Sequence, residues 1–208
     1  MLLNSDTVVK KGTVEKLIKF LDSHPEVGAI SPLVLNEDGS VQKDPCYLKF
    51  PSPLLAFFYY NKILRQLALN FFPQVLFSTM EFRKPIEVDQ LPGAALMVRK
   101  SILGEIGGLD EDYELYFEDT NLCWKMRKLG YRLMVVPQAK IVHSGRKSIA
   151  PLIRKEGINK FYLLNFKSLF LFCEKNYPEW KTALIKLVVF FHLFSTFKFN
   201  LLRKLIRK

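Results

Sequence analysis

The chain has 208 residues, 49% of them hydrophobic, which excludes a disordered protein and suffices for one full core. Its 31 basic against 20 acidic residues give a formal charge of +11, so it should seek anions: nucleotide phosphates, nucleic acid or acidic lipid, among which composition does not choose. Cys46, Cys123 and Cys173 are odd in number and far apart, so neither a metal knuckle nor a disulfide framework is indicated and a reducing cytoplasm is the simpler setting.

In chain order, Met1 to Leu3 read as the end of a buried strand meeting the polar turn Asn4-Ser5-Asp6, with no secretory signal; the chain is expected to begin in mid-fold. Val14, Leu17, Ile18 and Leu21 form a helical stripe within Val14 to Ser23. Val27 to Leu35 follows as a strand, closed by the dense turn signal Asn36-Glu37-Asp38-Gly39-Ser40. Pro45 to Pro53 is irregular. The aromatic stretch Leu54 to Phe77 fits a helical insertion whose rings either pack on the domain or line an acceptor groove.

Gly93-Ala94-Ala95 is a small-residue turn feeding the apolar strand Leu96-Met97-Val98; it is either a plain tight turn or a place of close approach by a ligand or another backbone. A short helix over Arg99 to Ile106 is broken by Gly107-Gly108-Leu109-Asp110. Next comes Leu115-Tyr116-Phe117-Glu118-Asp119, which reads as a carboxylate pair at a helix start. The preceding aromatic and apolar residues would restrict water and the helix N-terminus would favour the ionised carboxylate, as for a general base; a plain cap is the competing reading. The helix should end at Gly130, and Tyr131 to Pro137 reads as a buried strand leading to His143, which is either a ligand or an ordinary strand-end histidine.

Gly157 to Lys175 is a long helical candidate, punctuated by Pro178. Beyond it Leu184 to Phe194 is apolar nearly all round, but Lys186 and Lys198 interrupt any window of about 20 residues needed to cross a bilayer. From Phe197 onward, phenylalanine, leucine and isoleucine interleave with Lys198, Arg203, Lys204, Arg207 and Lys208. That pattern fits a basic amphipathic helix in a membrane interface, or a helix packed on a partner or on the domain. No nucleic-acid reader motif is recognised, so nucleic acid ranks last as a partner.

Several segments together resemble the inverting glycosyltransferases of family 2, in particular the rhamnosyltransferase-like and galactofuranosyltransferase-like members. Leu2-Leu3-Asn4-Ser5-Asp6-Thr7 is similar to that family's strand ending in an Asn-x-Asp or Asp-x-Asp metal motif, followed by its helix and by Val27-Gly28-Ala29-Ile30-Ser31-Pro32. Phe50-Pro51-Ser52-Pro53 resembles the start of its variable region, and Gly93 to Lys100 through Gly107 to Glu111 the stretch before its catalytic motif. Phe117 to Cys123, then Gly130-Tyr131-Arg132 and Val142-His143, resemble its catalytic helix and following strand. The order and spacing are more specific than any one motif.

The resemblance implies an α/β fold of partial GT-A type, a mixed sheet flanked by helices with amphipathic helices at its C-terminal end. The expected division is residues 1–155 as the C-terminal part of the transferase domain, 156–178 as a helical extension and 179–208 as a basic amphipathic tail. It further implies that Asp6 binds Mg²⁺ or Mn²⁺ bridging the diphosphate of a nucleotide-sugar donor, with Asn4 beside it. His143 completes the metal shell or touches the diphosphate, Asp119 is the base and Glu118 orients the site; Gly93 and Ala94 stand where donor or acceptor approaches. Oxygen ligands suit a hard cation, and a carboxylate opposite the leaving group suits inversion in one displacement. Asn4 departs from the commoner Asp, leaving one fewer charge on the cation. The family's preceding βαβ elements, which hold base and ribose, have no counterpart in these residues, so the expectation is either a fragment or misplaced start of a longer protein or a chain that has lost donor binding, with a companion chain supplying the missing half as a further expected partner. The acceptor implied is a saccharide or lipid-linked glycan, and the location the inner face of a bacterial membrane, held peripherally. The rival reading is a non-catalytic membrane-associated remnant or partner-binding subunit.

Overall fold

A computed structural model describes residues 1–42, 49–60, 82–145 and 149–206. The described chain forms two compact units. The first comprises Met1–Phe50, Leu76–Asp110 and Glu118–Ser148; the second Pro51–Val75, Glu111–Phe117 and Ile149–Lys208.

The first unit is a mixed sheet with helices on both faces, the α/β class expected. Its strands are β1 (Leu2–Leu3), β2 (Thr7–Val9), β3 (Val27–Leu35), β4 (Ile86–Glu87), β5 (Ala95–Val98) and β6 (Arg132–His143), in the order β1-β5-β3-β6-β2 with β4 paired to β6. The central β3–β6 pair is parallel; the other pairs are antiparallel. Side chains alternate across a strand, and the core divides accordingly. On one face Val27, Ile30, Met134 and Val136 bury against Leu17 and Leu21 of helix α1 (Thr13–Ser23). On the other, Ala29, Val34, Leu133, Val135 and Ile141 meet Ile102 of α3 (Lys100–Glu105) and Leu122, Cys123 and Met126 of α4 (Glu118–Lys128).

The buried strand expected to end at Pro137 runs on to His143. Register between β3 and β6 shifts from Pro32↔Val136 to Leu33↔Lys140, so Pro137, which has no N–H to donate, falls in a bulge. The continuation matters because it carries His143 alongside Thr7, its register partner in β2.

The second unit is helical: α2 (Pro53–Tyr60), α5 (Ala150–Glu156), α6 (Ile158–Asn176), α7 (Glu179–Ser195) and α8 (Phe199–Ile206). Phe172 of α6 is fully buried against Phe117 and Tyr177, whose hydroxyl donates to the Pro51 carbonyl at 2.6 Å. In α7, Thr182, Ile185, Val189 and Leu193 face inward, whereas Trp180, Leu184, Leu187, Phe191 and Phe194 face solvent. Two apolar faces on one helix explain why this segment reads as apolar all round. Among the described residues no helix is long and apolar enough to cross a membrane. The whole of the aromatic stretch after Tyr60, and Cys46, lie outside the described residues.

Candidate active site

Helix α4 opens with Glu118 and Asp119, and Tyr116 and Phe117 precede it in the chain. Tyr116 and Phe117 both have positive φ, 60° and 71°, a left-handed backbone that costs free energy for bulky side chains and recurs at functional sites. Phe117 is held by Phe172, and Tyr116 meets Phe161 edge-on. Asp119 Oδ2 accepts the Gly93 N–H at 2.7 Å, and Oδ1 accepts the Thr120 N–H at 2.7 Å. The first bond explains Gly93: a Cβ there would stand 2.9 Å from Asp119 Oδ2. The close approach anticipated for this small-residue turn is made by the Asp119 carboxylate.

Burial pushes the Asp119 pKa up, against the opposing hydrogen bonds from Gly93 and Thr120. Glu118 is also raised, first by burial and then by the neighbouring Asp119 charge. The N–H groups of Asp119 and Thr120 at the helix start do favour the ionised form. Desolvation outweighs the helix N-terminus here.

From Gly93 the network continues through Ala94, whose carbonyl accepts the Asn4 N–H at 3.1 Å and the Thr7 hydroxyl at 3.2 Å. Ala94 is buried, while Asn4 is exposed and its carbonyl accepts the Thr7 N–H at 3.2 Å. Asp6 lies between these anchors, and its carbonyl accepts the Ser144 N–H at 3.1 Å. The structure thus ties the Asn4–Thr7 segment, Gly93, Ala94 and Asp119 into one hydrogen-bonded chain, and adds His143 by strand pairing.

Asp6 and His143 are side by side. Their side chains are 7% and 14% exposed, with His143 Nε2 3.2 Å from Asp6 Oδ1. Yet Asp6 Oδ1, Asp6 Oδ2 and His143 Nε2 are all buried without a hydrogen-bond partner. Buried polar groups are nearly always satisfied, so these three converging atoms call either for a proton on the imidazole, which would make the contact an ion pair, or for a ligand of their own. Carboxylate oxygens and an imidazole nitrogen fit a divalent cation. Among the described residues no group of three or more His, Cys, Asp or Glu is placed to hold a metal, so Asp6 and His143 would supply two of a cation's ligands and no more.

Sequence reasoning missed a second group at the end of β6. His143 Nδ1 lies 2.8 Å from Gln42 Oε1, and Gln42 Nε2 donates to Asn36 Oδ1 at 3.1 Å. These residues flank a segment read only as a turn. The polar density of Asn36 to Ser40 was its one visible signal.

Residues 1–205 match the family described as glycosyl transferase family group 2. The chain is 28% identical over 148 residues to an N-acetylglucosaminyl-diphospho-decaprenol L-rhamnosyltransferase of Mycobacterium tuberculosis, covering 69% of this chain and 46% of that protein. It is 33% identical over 70 residues to a pre-mycofactocin glycosyltransferase of the same species, covering 34% of this chain and 15% of the relative. The chain therefore spans less than half the length of the curated relatives it matches.

Proposed function

Since the chain belongs to glycosyl transferase family group 2, we propose that its first unit carries the base and the cation ligands of a transferase that moves a sugar from a nucleotide-sugar donor to a lipid-linked saccharide with inversion. The observation that carries this reading is the single hydrogen-bonded network joining Asp119 to the segment of the unsatisfied Asp6–His143 pair. The acceptor class follows the printed activity of the rhamnosyltransferase relative, whose acceptor is a sugar on a polyprenyl diphosphate.

Asp119 takes the proton of the acceptor hydroxyl as that oxygen bonds to the anomeric carbon and the bond from that carbon to the diphosphate oxygen breaks. One displacement inverts the anomeric centre. Gly93 and Thr120 hold the carboxylate at fixed orientation, so little reorganisation is needed during transfer. Glu118, one residue away, sets the local field. Asp6 and His143 would hold Mg²⁺ or Mn²⁺, which when bound supplies positive charge to the leaving diphosphate.

The second unit supports a peripheral location at an anionic membrane face. The solvent-facing stripe of α7 is apolar, and no acidic residue follows Glu179, whereas Lys181, Lys186, Lys198, Arg203, Lys204, Arg207 and Lys208 do. An apolar stripe among cations fits acidic headgroups over an acyl boundary. The stripe favours α7 for this contact, upstream of the Phe197–Lys208 segment that the sequence pattern suggests.

The test is Asp119→Asn, assayed with nucleotide sugars and a polyprenyl-diphosphate saccharide. Turnover should fall by about 10²-fold to 10⁴-fold with donor affinity unchanged; near-normal turnover removes Asp119 as the base. In the wild type, activity should be lost as pH falls through an apparent pKa above the ordinary aspartate value of 3.8, because a base with a raised pKa protonates early. The same shift means that folding stability contributed by Asp119 declines as pH rises from that ordinary value through the raised one, since the folded state keeps the proton longer.

A further inference from the structure

The turn after β3 ends in a chain of side chains whose donors and acceptors are assigned in sequence. It starts at Asp38, an exposed carboxylate whose pKa is lowered by the hydroxyl and N–H of Ser40 and which therefore only accepts at neutral pH. The Ser40 hydroxyl donates to Asp38 Oδ1 at 2.6 Å, which commits its one hydrogen. Ser40 Oγ must then accept from Asn36, whose Nδ2 lies 2.9 Å away. That orients the Asn36 amide and leaves its Oδ1 to receive Gln42 Nε2 at 3.1 Å. Gln42 Nε2 also points at the His143 carbonyl, 3.4 Å away, which agrees with the same orientation. Gln42 must therefore present Oε1, an acceptor, to His143 Nδ1 at 2.8 Å. An acceptor facing Nδ1 requires that nitrogen to carry the hydrogen. In the neutral ring Nε2 then bears the lone pair, and it is Nε2 that faces Asp6 Oδ1 at 3.2 Å.

Two electron-rich atoms facing each other at that distance, both without hydrogen-bond partners, are unfavourable unless a positive charge lies between them, either a proton on Nε2 or a cation bound by both. The relay thus imposes on His143 the tautomer that ligates through Nε2. We propose that Gln42 is a positioning residue: by accepting the Nδ1 hydrogen of His143 it presents the Nε2 lone pair to a divalent cation shared with Asp6. This rests on the reading of Asp6 and His143 as cation ligands. The histidine's second nitrogen is fixed by an outer partner, the arrangement that orients metal-ligating imidazoles generally. Gly145 leaves room for it, since a Cβ there would come within 3.3 Å of Gln42 Nε2.

The experiment compares the full wild-type chain with Gln42→Glu, which keeps an acceptor for Nδ1, and Gln42→Leu, which removes it. Gln42 is only partly buried, so both variants should fold. Long-range ¹H–¹⁵N NMR of histidine-labelled, metal-free protein in alkaline buffer reads the tautomer, and calorimetry with Mn²⁺ alone reads affinity. Wild type and Gln42→Glu should show His143 protonated on Nδ1 and bind Mn²⁺ comparably. Gln42→Leu should lose that tautomer and bind Mn²⁺ about 10-fold to 100-fold more weakly, the usual consequence of deleting an outer partner. An unchanged tautomer in Gln42→Leu overturns the proposal, as does equal weakening by both variants. If the wild type shows the Nδ1–H tautomer, Gln42→Leu loses it and neither binds Mn²⁺, the cation reading falls while control of the ring by Gln42 stands.

Discussion

Asp119 accepts N–H groups from Gly93 and Thr120 on its two carboxylate oxygens, whereas Asp6, in the same unit and 7% exposed in its side chain, accepts none on either oxygen. The protein itself supplies the partners of Asp119, through a glycine small enough to admit the carboxylate. It withdraws Asp6 from water, places an imidazole nitrogen beside it and supplies nothing more. A carboxylate saturated by backbone is preorganised for repeated proton transfer in one geometry. A carboxylate left unsatisfied favours binding a cation over remaining bare, at a cost in the cation-free state of about 1–3 kcal/mol per unsatisfied group.

The contrast breaks most sharply at Asp6. Asp6→Asn replaces the buried carboxylate by an amide and offers the Nε2 lone pair of His143 an N–H donor. The metal-free variant should melt at or above the wild-type temperature while Mn²⁺ affinity and turnover each fall by more than about 100-fold, beyond the usual effect of outer-shell changes. Calorimetric melting and Mn²⁺ titration read the two signs separately. A variant that is destabilised without cation and still binds Mn²⁺ would show that Asp6 is a structural carboxylate.

Gly93→Ala sharpens the other half. The added Cβ would meet Asp119 Oδ2 at 2.9 Å, and the φ of Gly93 is not positive, so the strain falls on the carboxylate rather than on the backbone. Displacing a reacting group by a fraction of an ångström to about 1 Å can cost up to about 10²-fold. We expect kcat to fall by about that amount, with Mn²⁺ affinity preserved, in steady-state kinetics and titration. Equal loss of metal affinity would mean that the Asp119 and Asp6 regions are not separable.

Much of this arrangement was legible in the residues and some was not, for physical reasons. The apolar run Val27–Leu35, bounded by turn residues, is β3 as expected, and the helix from Glu118 ends just before Gly130. Local pattern reveals such elements because a buried strand needs a continuous apolar stretch and a helix needs its breaker. Pro137 misled the reading of β6, because a proline ends a strand unless a bulge absorbs it, and the bulge depends on the register with β3. Asp6 and His143 are 137 positions apart, and only the family resemblance joined them; no local pattern encodes a strand pairing of Thr7 with His143. The Gln42 relay showed itself only as a polar turn after β3, with no sign of its connection to His143. A relay is a property of hydrogen-bond direction, which requires coordinates.

The smallest expected effect concerns α7, where the comparison passes from buried carboxylates to exposed apolar side chains. Ile185 and Val189 are fully buried, and Leu187 and Phe191 on the opposite side are 62% and 65% exposed. Helix α7 has 17 residues, about 26 Å at 1.5 Å per residue, short of the hydrocarbon core of about 30 Å, so a membrane role requires it to lie in the interface. Fully burying a Leu or Phe side chain is worth about 1.5–3 kcal/mol, and an interfacial helix realises part of that. Leu187→Ser combined with Phe191→Ser should therefore weaken sedimentation with vesicles containing phosphatidylglycerol by about tenfold, leaving the fold intact because neither side chain is in the core. Raised salt should weaken the wild type further by screening its cations. Binding that persists undiminished in the double variant and in high salt would place the contact elsewhere, and α7 would then be an exposed face covered by another protein.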